Sequence, residues 1–437
     1  PPRPTPTHGR RQRQMCIRDR RWFYGLIAAL AYAALILTHN INALIFSPVL
    51  LAYVWLVGAG QAPAGRGRWL AGLGLALPAL GLMVLSLGLS AFYWLPALAE
   101  QDLVRISQAF GPSHFNYATN FLEAGDLLAW PFVVDPRLVQ QDVPLAISLI
   151  AVLLAIFCLA TLGRTRREPG EMGHILFGAL VVVVGLFMAL PVSEFIWDRL
   201  PLLPFVQFPW RFLGLVSLFL AMLAGAGLAS LLASERLAGE GGVRWLRLSL
   251  PALVIGLAAL VALPWAYTDT VAPPPATIAG AAEFARQSGA LGTTSAGEYF
   301  PVAVSQVPAT ERPGFPDEDA RLDPESLPDG ASLLAAEYRP LAYRVVVDSP
   351  LPFTAVFNTL FFEGWRGTID GRPAELRASG PEGLIGLEVP AGQHDIELRF
   401  ESTAVRDVAA AVSWISLLLL APALFLLERS RKSTKTI

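Results

Sequence analysis

Charge is scarce in this sequence and lysine is almost missing. Of 437 residues only 16% are Asp, Glu, Lys or Arg, and the only lysines are Lys432 and Lys435. Soluble domains carry about a quarter charged residues, so this balance excludes an ordinary cytosolic enzyme and a disordered protein. A formal net charge of −2 supplies no basic footprint for a polyanion, so a nucleic-acid partner is excluded as well. Two cysteines, Cys16 and Cys158, cannot build a disulfide framework. The sequence has no phosphate-binding glycine loop, no Cys-x-x-Cys and no His-x-x-x-His. Its five histidines (His8, His39, His114, His174 and His394) are scattered, so no metal site is expected from a zinc triad. Apolar residues are abundant instead: 54% of the chain, with mean hydropathy +0.50. These are the proportions of a membrane protein whose first partner is the lipid bilayer.

Residues 1–20 stand apart. They lack the apolar stretch of about 7–15 residues that a secretory signal requires. Gln12–Arg20 resembles the read-through of a sequencing adapter; a basic cytoplasmic arm is the alternative. Beyond them a helix needs about 20 apolar residues to cross a hydrocarbon core about 30 Å thick. Candidate spans run near Trp22–Leu37, Ala43–Val57, Trp69–Leu95, Pro144–Gly163, His174–Val192, Phe212–Ala233, Leu248–Tyr267 and Val408–Leu427. The first two, read as one helix, would extend about 54 Å. Two helices joined by a tight polar turn at Thr38–Asn42 fit better, with a re-entrant pair as the alternative. The expected organisation is a helical membrane domain over 21–268 with about seven spans, an outer domain over 269–406, and a last span with a basic tail over 407–437.

The connecting segments alternate in charge as the positive-inside rule requires. Arg66 and Arg68, then Arg164, Arg166 and Arg167, then Arg236, Arg244 and Arg247, and finally Arg429, Arg431, Lys432 and Lys435 fall on one side. The other side receives His39-Asn40, the acidic loop Pro96–Val143, the loop Ser193–Arg211 and the long segment Thr268–Arg406. The tail is therefore expected in the cytoplasm and the large domain outside it. Within that domain Pro273–Pro275 and Pro313–Pro316 suggest irregular loop, with a short helix near Ala281–Gln287. Short strands follow at Tyr343–Val347, Phe353–Phe362, Gly367–Ile369, Leu384–Val389 and His394–Phe400. Asp370-Gly371 is a hairpin signal and Pro390-Ala391-Gly392 marks another turn. Alternation of His394, Ile396, Leu398 and Phe400 with Asp395, Glu397 and Arg399 is that of a half-buried antiparallel strand. The fold class expected is all-α membrane protein with an extracytoplasmic β-sandwich.

Candidate chemistry gathers at the outer ends of the spans. Arg211, in Gln207-Phe208-Pro209-Trp210-Arg211-Phe212, stands at a helix start, where free backbone N–H groups favour anions. It could clamp the phosphate of a lipid-linked substrate or anchor the helix at the interface. His39 and Asn40 could donate to a phosphate or a sugar hydroxyl, or only turn the chain. Glu100 and Asp102 could serve as a general base or hold a divalent cation, or belong to a solvated loop. Glu298 and Tyr299, in a polar flexible stretch, could touch a glycan or close that loop against the helices.

Thr38-His39-Asn40, Trp94-Leu95-Pro96-Ala97-Leu98-Ala99-Glu100, Phe208-Pro209-Trp210-Arg211-Phe212 and Gly297-Glu298-Tyr299-Phe300-Pro301 occur in this order. In this the chain resembles bacterial 6-pyruvoyl-tetrahydropterin synthase-related membrane proteins. Phe362–Gly371 followed by Val389–His394 is similar to the outer β-domain of YfhO-type membrane proteins. Both groups look like GT-C glycosyltransferases, which use polyprenyl-phosphate-linked sugars at the outer membrane face. The resemblance implies a GT-C-like protein of the bacterial cytoplasmic membrane that handles a lipid-linked sugar and a glycan acceptor during envelope glycan assembly. Arg211, with His39, would hold the lipid phosphate, and an outer-loop acid would deprotonate the acceptor. The family also places an acid in its first outer loop, whereas His39-Asn40-Ile41-Asn42 has none. This implies either a missing amino-terminal part or a non-catalytic carrier of lipid-linked glycan. The expectation is an amino-terminal truncation without transferase activity. A secondary transporter fits less well, since its polar groups would collect at the bilayer midplane.

Overall fold

The computed structural model describes residues 21–60, 65, 67–106, 116–128, 145–163, 169–232, 242–266, 277, 280, 283, 297–306 and 320–433. The arm at 1–20, most of the helix expected near 281–287, and Arg66, Arg164, Arg166, Arg167 and Arg236 of the orientation pattern lie outside these residues. The chain forms two compact units. One comprises Pro1–Ser90, His114–Val271 and Trp414–Ile437; the other comprises Ala91–Ser113 and Ala272–Ser413.

The first unit is helical. It opens with α1 (Arg21–Thr38), α2 (Asn40–Gly60) and α3 (Gly67–Leu89). The Tyr32 hydroxyl is hydrogen-bonded to the Ser47 hydroxyl across the α1–α2 junction. Fifteen residues along one continuous helix would separate them by about 22 Å, so the chain doubles back at His39, as the polar turn suggests. Ser86 on α3 donates to the Ala29 carbonyl of α1 at 2.8 Å. After α3 the chain breaks at Ser90 and continues as α4 (Ala91–Ala99), which belongs to the second unit. The helical unit resumes with α5 (Leu149–Ala160), α6 (Pro169–Ala189), the single turn α7 (Glu194–Trp197), α8 (Leu213–Leu232) and α9 (Gly242–Ala266). Among the described residues four helices are long and apolar enough to cross a membrane: Asn40–Gly60, Gly67–Leu89, Gly170–Ala189 and Pro209–Leu232. Together they make this unit the membrane part of the protein.

Two expected spans differ in the structure. The stretch Pro144–Gly163 yields only the 12 residues of α5, about 18 Å long. Its start is fixed by Ser148, whose side chain caps the Ala151 N–H, and by Ile147, whose N–H reaches the Leu127 carbonyl at 2.9 Å. The stretch Trp69–Leu95 is divided at Ser90. The Phe92 N–H, at the start of α4, is taken by the Ser413 hydroxyl at 2.9 Å. Small residues let helices approach where lipid provides no hydrophobic drive between them. Gly185 of α6 faces Val216 of α8, and Gly227 of α8 lies against the Leu154 carbonyl of α5.

The second unit holds an antiparallel β-sandwich. Its strands are β1 (Ser332–Arg339), β2 (Ala342–Ser349), β3 (Phe353–Leu360), β4 (Trp365–Ile369), β5 (Arg372–Ala374), β6 (Leu376–Ser379), β7 (Leu384–Val389) and β8 (Gly392–Phe400). One sheet runs β1-β2-β8-β4-β5 and the other β3-β7-β6. Inward positions of both sheets make a common core of Tyr343, Val345, Val347, Phe357, Ile385, Leu387, Ile396 and Leu398. Burying each large apolar side chain contributes about 1.5–3 kcal/mol. Asp370 and Gly371 both take positive φ, 52° and 75°, the mirror-image turn that suits a two-residue hairpin. They join β4 to β5 with Ile369 opposite Arg372. The last helix, α10 (Ala404–Ser433), follows β8 after three residues.

Candidate functional site

The turn at His39 is built by capping. His39 Nδ1 accepts the Asn42 N–H at 3.2 Å, which satisfies one of the free donors at the start of α2. The accepting role leaves Nε2 as the donor of the ring. Asn40 Oδ1 accepts the Ile41 N–H at 2.8 Å, and Thr38 Oγ1 turns back to the Ala34 carbonyl at 2.8 Å. All three side chains are exposed. Their first role is to close the turn; the Nε2 and the Asn40 amide keep donor capacity.

Arg211 lies in a short 3-10 segment, Pro209–Phe212, that leads into α8. Proline at its start supplies a fixed φ and needs no hydrogen-bond partner for a missing N–H. Just before it Gln207 adopts φ +64°, a conformation rare for a residue with a Cβ. That kink brings the Val206 carbonyl within 2.5 Å of Arg211 Nη1. The guanidinium is 4.8 Å from the Phe208 ring centre and 6.0 Å from that of Trp210. Among the described residues no carboxylate pairs with it.

The His39 turn and Arg211 are attached to one core. Ile41 and Ile45 of α2, Met188 at the end of α6, Trp197 of α7, and Val206 and Phe212 beside Arg211 pack in a single cluster. The starts of α2 and α8 and the end of α6 therefore share one end of the helical unit. Two side chains that the sequence did not single out complete it. The Tyr117 hydroxyl donates to Asp198 Oδ1 at 2.7 Å, and its ring stacks on fully buried Trp197 at 5.3 Å and 19°. Phe212 meets the same Trp197 ring at 5.9 Å. The bond to the Asp198 carboxylate, chiefly, holds the Tyr117 phenol above its ordinary pKa. The aromatic pair Tyr117 and Phe121, four residues apart, was the available signal. Its carboxylate partner lies 81 residues away, beyond the reach of local pattern.

The remaining candidates belong to the second unit. Both oxygens of Glu100 are engaged: Oε1 accepts from Thr403 Oγ1 at 2.6 Å and Oε2 from Arg406 Nη2 at 2.8 Å. Arg406 in turn stacks over Phe400 at 5.2 Å. Asp102 is exposed. Leu103–Arg105 pairs with Phe300–Val302 through two backbone hydrogen bonds, Arg105 N–H to the Phe300 carbonyl and Val302 N–H to the Leu103 carbonyl. This brings the Asp102 and Tyr299 segments side by side. Glu298 and Tyr299 are separated in role: Glu298 is buried at 6% exposure, whereas Tyr299 is 62% exposed. The loop also bonds to the sandwich through Ser305 and Gln306, whose N–H groups share the Pro381 carbonyl.

An arginine over aromatic rings, with no carboxylate partner among the described residues, has the chemistry to bind an anionic oxygen. Among the described residues no three His, Cys, Asp or Glu side chains gather to hold a metal ion. Compared with known protein families and with characterised proteins, the chain matches no family model and no characterised sequence.

Proposed function

We propose that the chain is a GT-C-like integral membrane protein of the bacterial cytoplasmic membrane that handles polyprenyl-phosphate-linked sugars in envelope glycan assembly. In this reading eight spans carry it through the bilayer, the β-sandwich domain is extracytoplasmic and the basic tail is cytoplasmic. The observation that carries the reading is Arg211: a guanidinium held over Phe208 by the Val206 carbonyl and, at 3.5 Å, by Gln207 Oε1, with no carboxylate partner among the described residues. An unneutralised charge in such a setting calls for an anion. His39 Nε2 and the Asn40 amide supply further donors at the same end of the unit. The similarity of the sequence motifs to YfhO-type and 6-pyruvoyl-tetrahydropterin synthase-related membrane proteins points the same way.

A specific observation favours the non-catalytic form of this reading, a carrier or assembly protein for lipid-linked glycan. Glu100, one of two proposed acids, spends both carboxylate oxygens on Thr403 and Arg406, so neither oxygen is left open to an acceptor hydroxyl. Asp102, exposed beside the Tyr299 segment, is the acid left for a transferase and for any divalent cation. The test uses the purified chain in nanodiscs, with polyprenyl phosphate for binding and a polyprenyl-phosphate sugar plus glycan acceptor for turnover. Binding with turnover lost in Asp102→Asn supports a transferase; binding without turnover supports a carrier. Absence of binding removes both.

A further inference from the structure

The turn His39-Asn40-Ile41-Asn42 holds no carboxylate, but Asp198, next to Trp197, stands at the same end of the helical unit. Asp198 follows the one-turn helix α7, and its Oδ1 takes the Tyr117 hydroxyl at 2.7 Å. No cation pairs with this carboxylate among the described residues, and its Oδ2 makes no hydrogen bond there. Tyr117 itself is seated: one ring face lies on Trp197, 5.3 Å away and 19° from parallel, and Phe121 meets it edge-on at 6.3 Å. Trp197 is fully buried, so the platform is rigid. Trp197 also touches Phe212 at 5.9 Å, the residue after Arg211.

The juxtaposition has a chemical sense. A hexose presents hydroxyl donors around its rim and C–H groups on its faces. A carboxylate with a free oxygen accepts the first, and an aromatic ring fixed on edge or face packs against the second. An ordinary surface aspartate has no need of a tyrosine stacked on a buried tryptophan. We propose that Tyr117 and Asp198 form a hexose-binding subsite that holds the sugar of the lipid-linked molecule whose phosphate Arg211 binds. The proposal rests on the reading of Arg211 given above and adds the sugar contact to it. Trp197 and Phe212 are positioning residues that fix the spacing between the two contacts.

The experiment compares two ligands on the full chain in nanodiscs: polyprenyl phosphate and polyprenyl-phosphate glucose. Native protein is expected to bind the sugar-bearing lipid more tightly, because hydrogen bonds to a charged acceptor are worth about tenfold or more. Asp198→Asn should abolish about tenfold of that gain and leave binding of the bare lipid phosphate unchanged. Tyr117→Phe, which keeps the stacked ring, should reduce the gain by about two- to tenfold. Arg211→Ala should weaken both ligands alike. Equal binding of the two lipids by native protein overturns the subsite while leaving the phosphate reading intact; failure of both lipids to bind overturns the two together. Free glucose competing through Asp198 with no preference between the lipids would assign the pair to an acceptor and also overturn the proposal.

Discussion

Glu100 and Arg406, 306 positions apart in the chain, form an ion pair with side chains only 12% and 22% exposed. The pair ties the end of α4 to the first turn of α10, and Arg406 Nη2 also reaches the Glu363 carbonyl at 3.3 Å. Removing one partner of a largely buried pair leaves the other charge stranded, at a cost of about 3 kcal/mol. Glu100→Ala should therefore destabilise the second unit by that order, read as faster hydrogen exchange in β4 and β8 of the full chain. Glu100→Ala with Arg406→Met should lose less than Glu100→Ala alone. Unchanged exchange in the single variant would mean that the pair is incidental.

The turn between β4 and β5 carries a pH dependence. Asp370 accepts the Asp395 N–H at 2.9 Å and meets His394 Nδ1 at 2.7 Å. The backbone bond first, and His394 second, hold its carboxyl below the ordinary 3.8. A carboxylate whose pKa is lower in the folded state stabilises the fold fully above its unfolded value. That stabilisation is lost as the pH falls through the lowered one. Protection of the Asp395 amide should thus decline on acidification, and Asp370→Asn, which tolerates the positive φ, should flatten the decline.

Helix contacts through glycine make a third expectation. A methyl group on Gly227 would run into the Leu154 backbone carbonyl, whereas one on Gly225 meets nothing within 4 Å. Gly227→Ala should cost about 1–3 kcal/mol by forcing α5 and α8 apart. Gly225→Ala, two residues away on the same helix, should be neutral or slightly stabilising. Unfolding in detergent by rising denaturant compares the two; similar midpoints would show that the helices separate freely.

Arg211 distinguishes geometry from charge. Charge-assisted hydrogen bonds contribute about 1.5–3 kcal/mol, so Arg211→Ala should weaken polyprenyl phosphate binding roughly 10- to 150-fold. Arg211→Lys keeps the charge but not the planar fork and should fall between. Unchanged affinity in Arg211→Ala would leave the residue as an interfacial anchor.

Orientation is checked by labelling. Single cysteines replacing Asp317 and Ser433 should react differently with an impermeant thiol reagent on intact cells, Asp317 from outside and Ser433 only after permeabilisation. The reverse pattern would invert the topology drawn from the arginine-rich segments.

Much of the sandwich was legible in the sequence because β2, β3 and β8 alternate as half-buried strands do, β7 is a short apolar run, and Asp370-Gly371 has the residues its turn demands. The edge strand β1 was not. Ser332–Arg339 is almost wholly exposed, and its leucines and alanines carry helix-forming rather than strand-forming preference. The helices were visible as apolar runs, but Ser90 and Ser148 set their ends through hydrogen bonds that hydropathy does not register. At the candidate site, Arg211 was readable from its place before an apolar run. The partnership of Glu100 with Arg406 and of Tyr117 with Asp198 was not, since each joins residues distant in sequence through side-chain geometry alone.

The discontinuity of the second unit has a consequence for biosynthesis. Ala91–Ser113 belongs with residues that follow Ala272, and Glu100 meets Arg406 only after the 306 intervening steps of elongation. At about 5–20 residues per second that is a wait of roughly 15–60 s. During it α4 waits with its acid still hydrated and its partner strands unmade. The contacts among α1, α2 and α3 can form in that interval, whereas the second unit and the place of Leu420 beside Ala29 both wait for the emergence of α10.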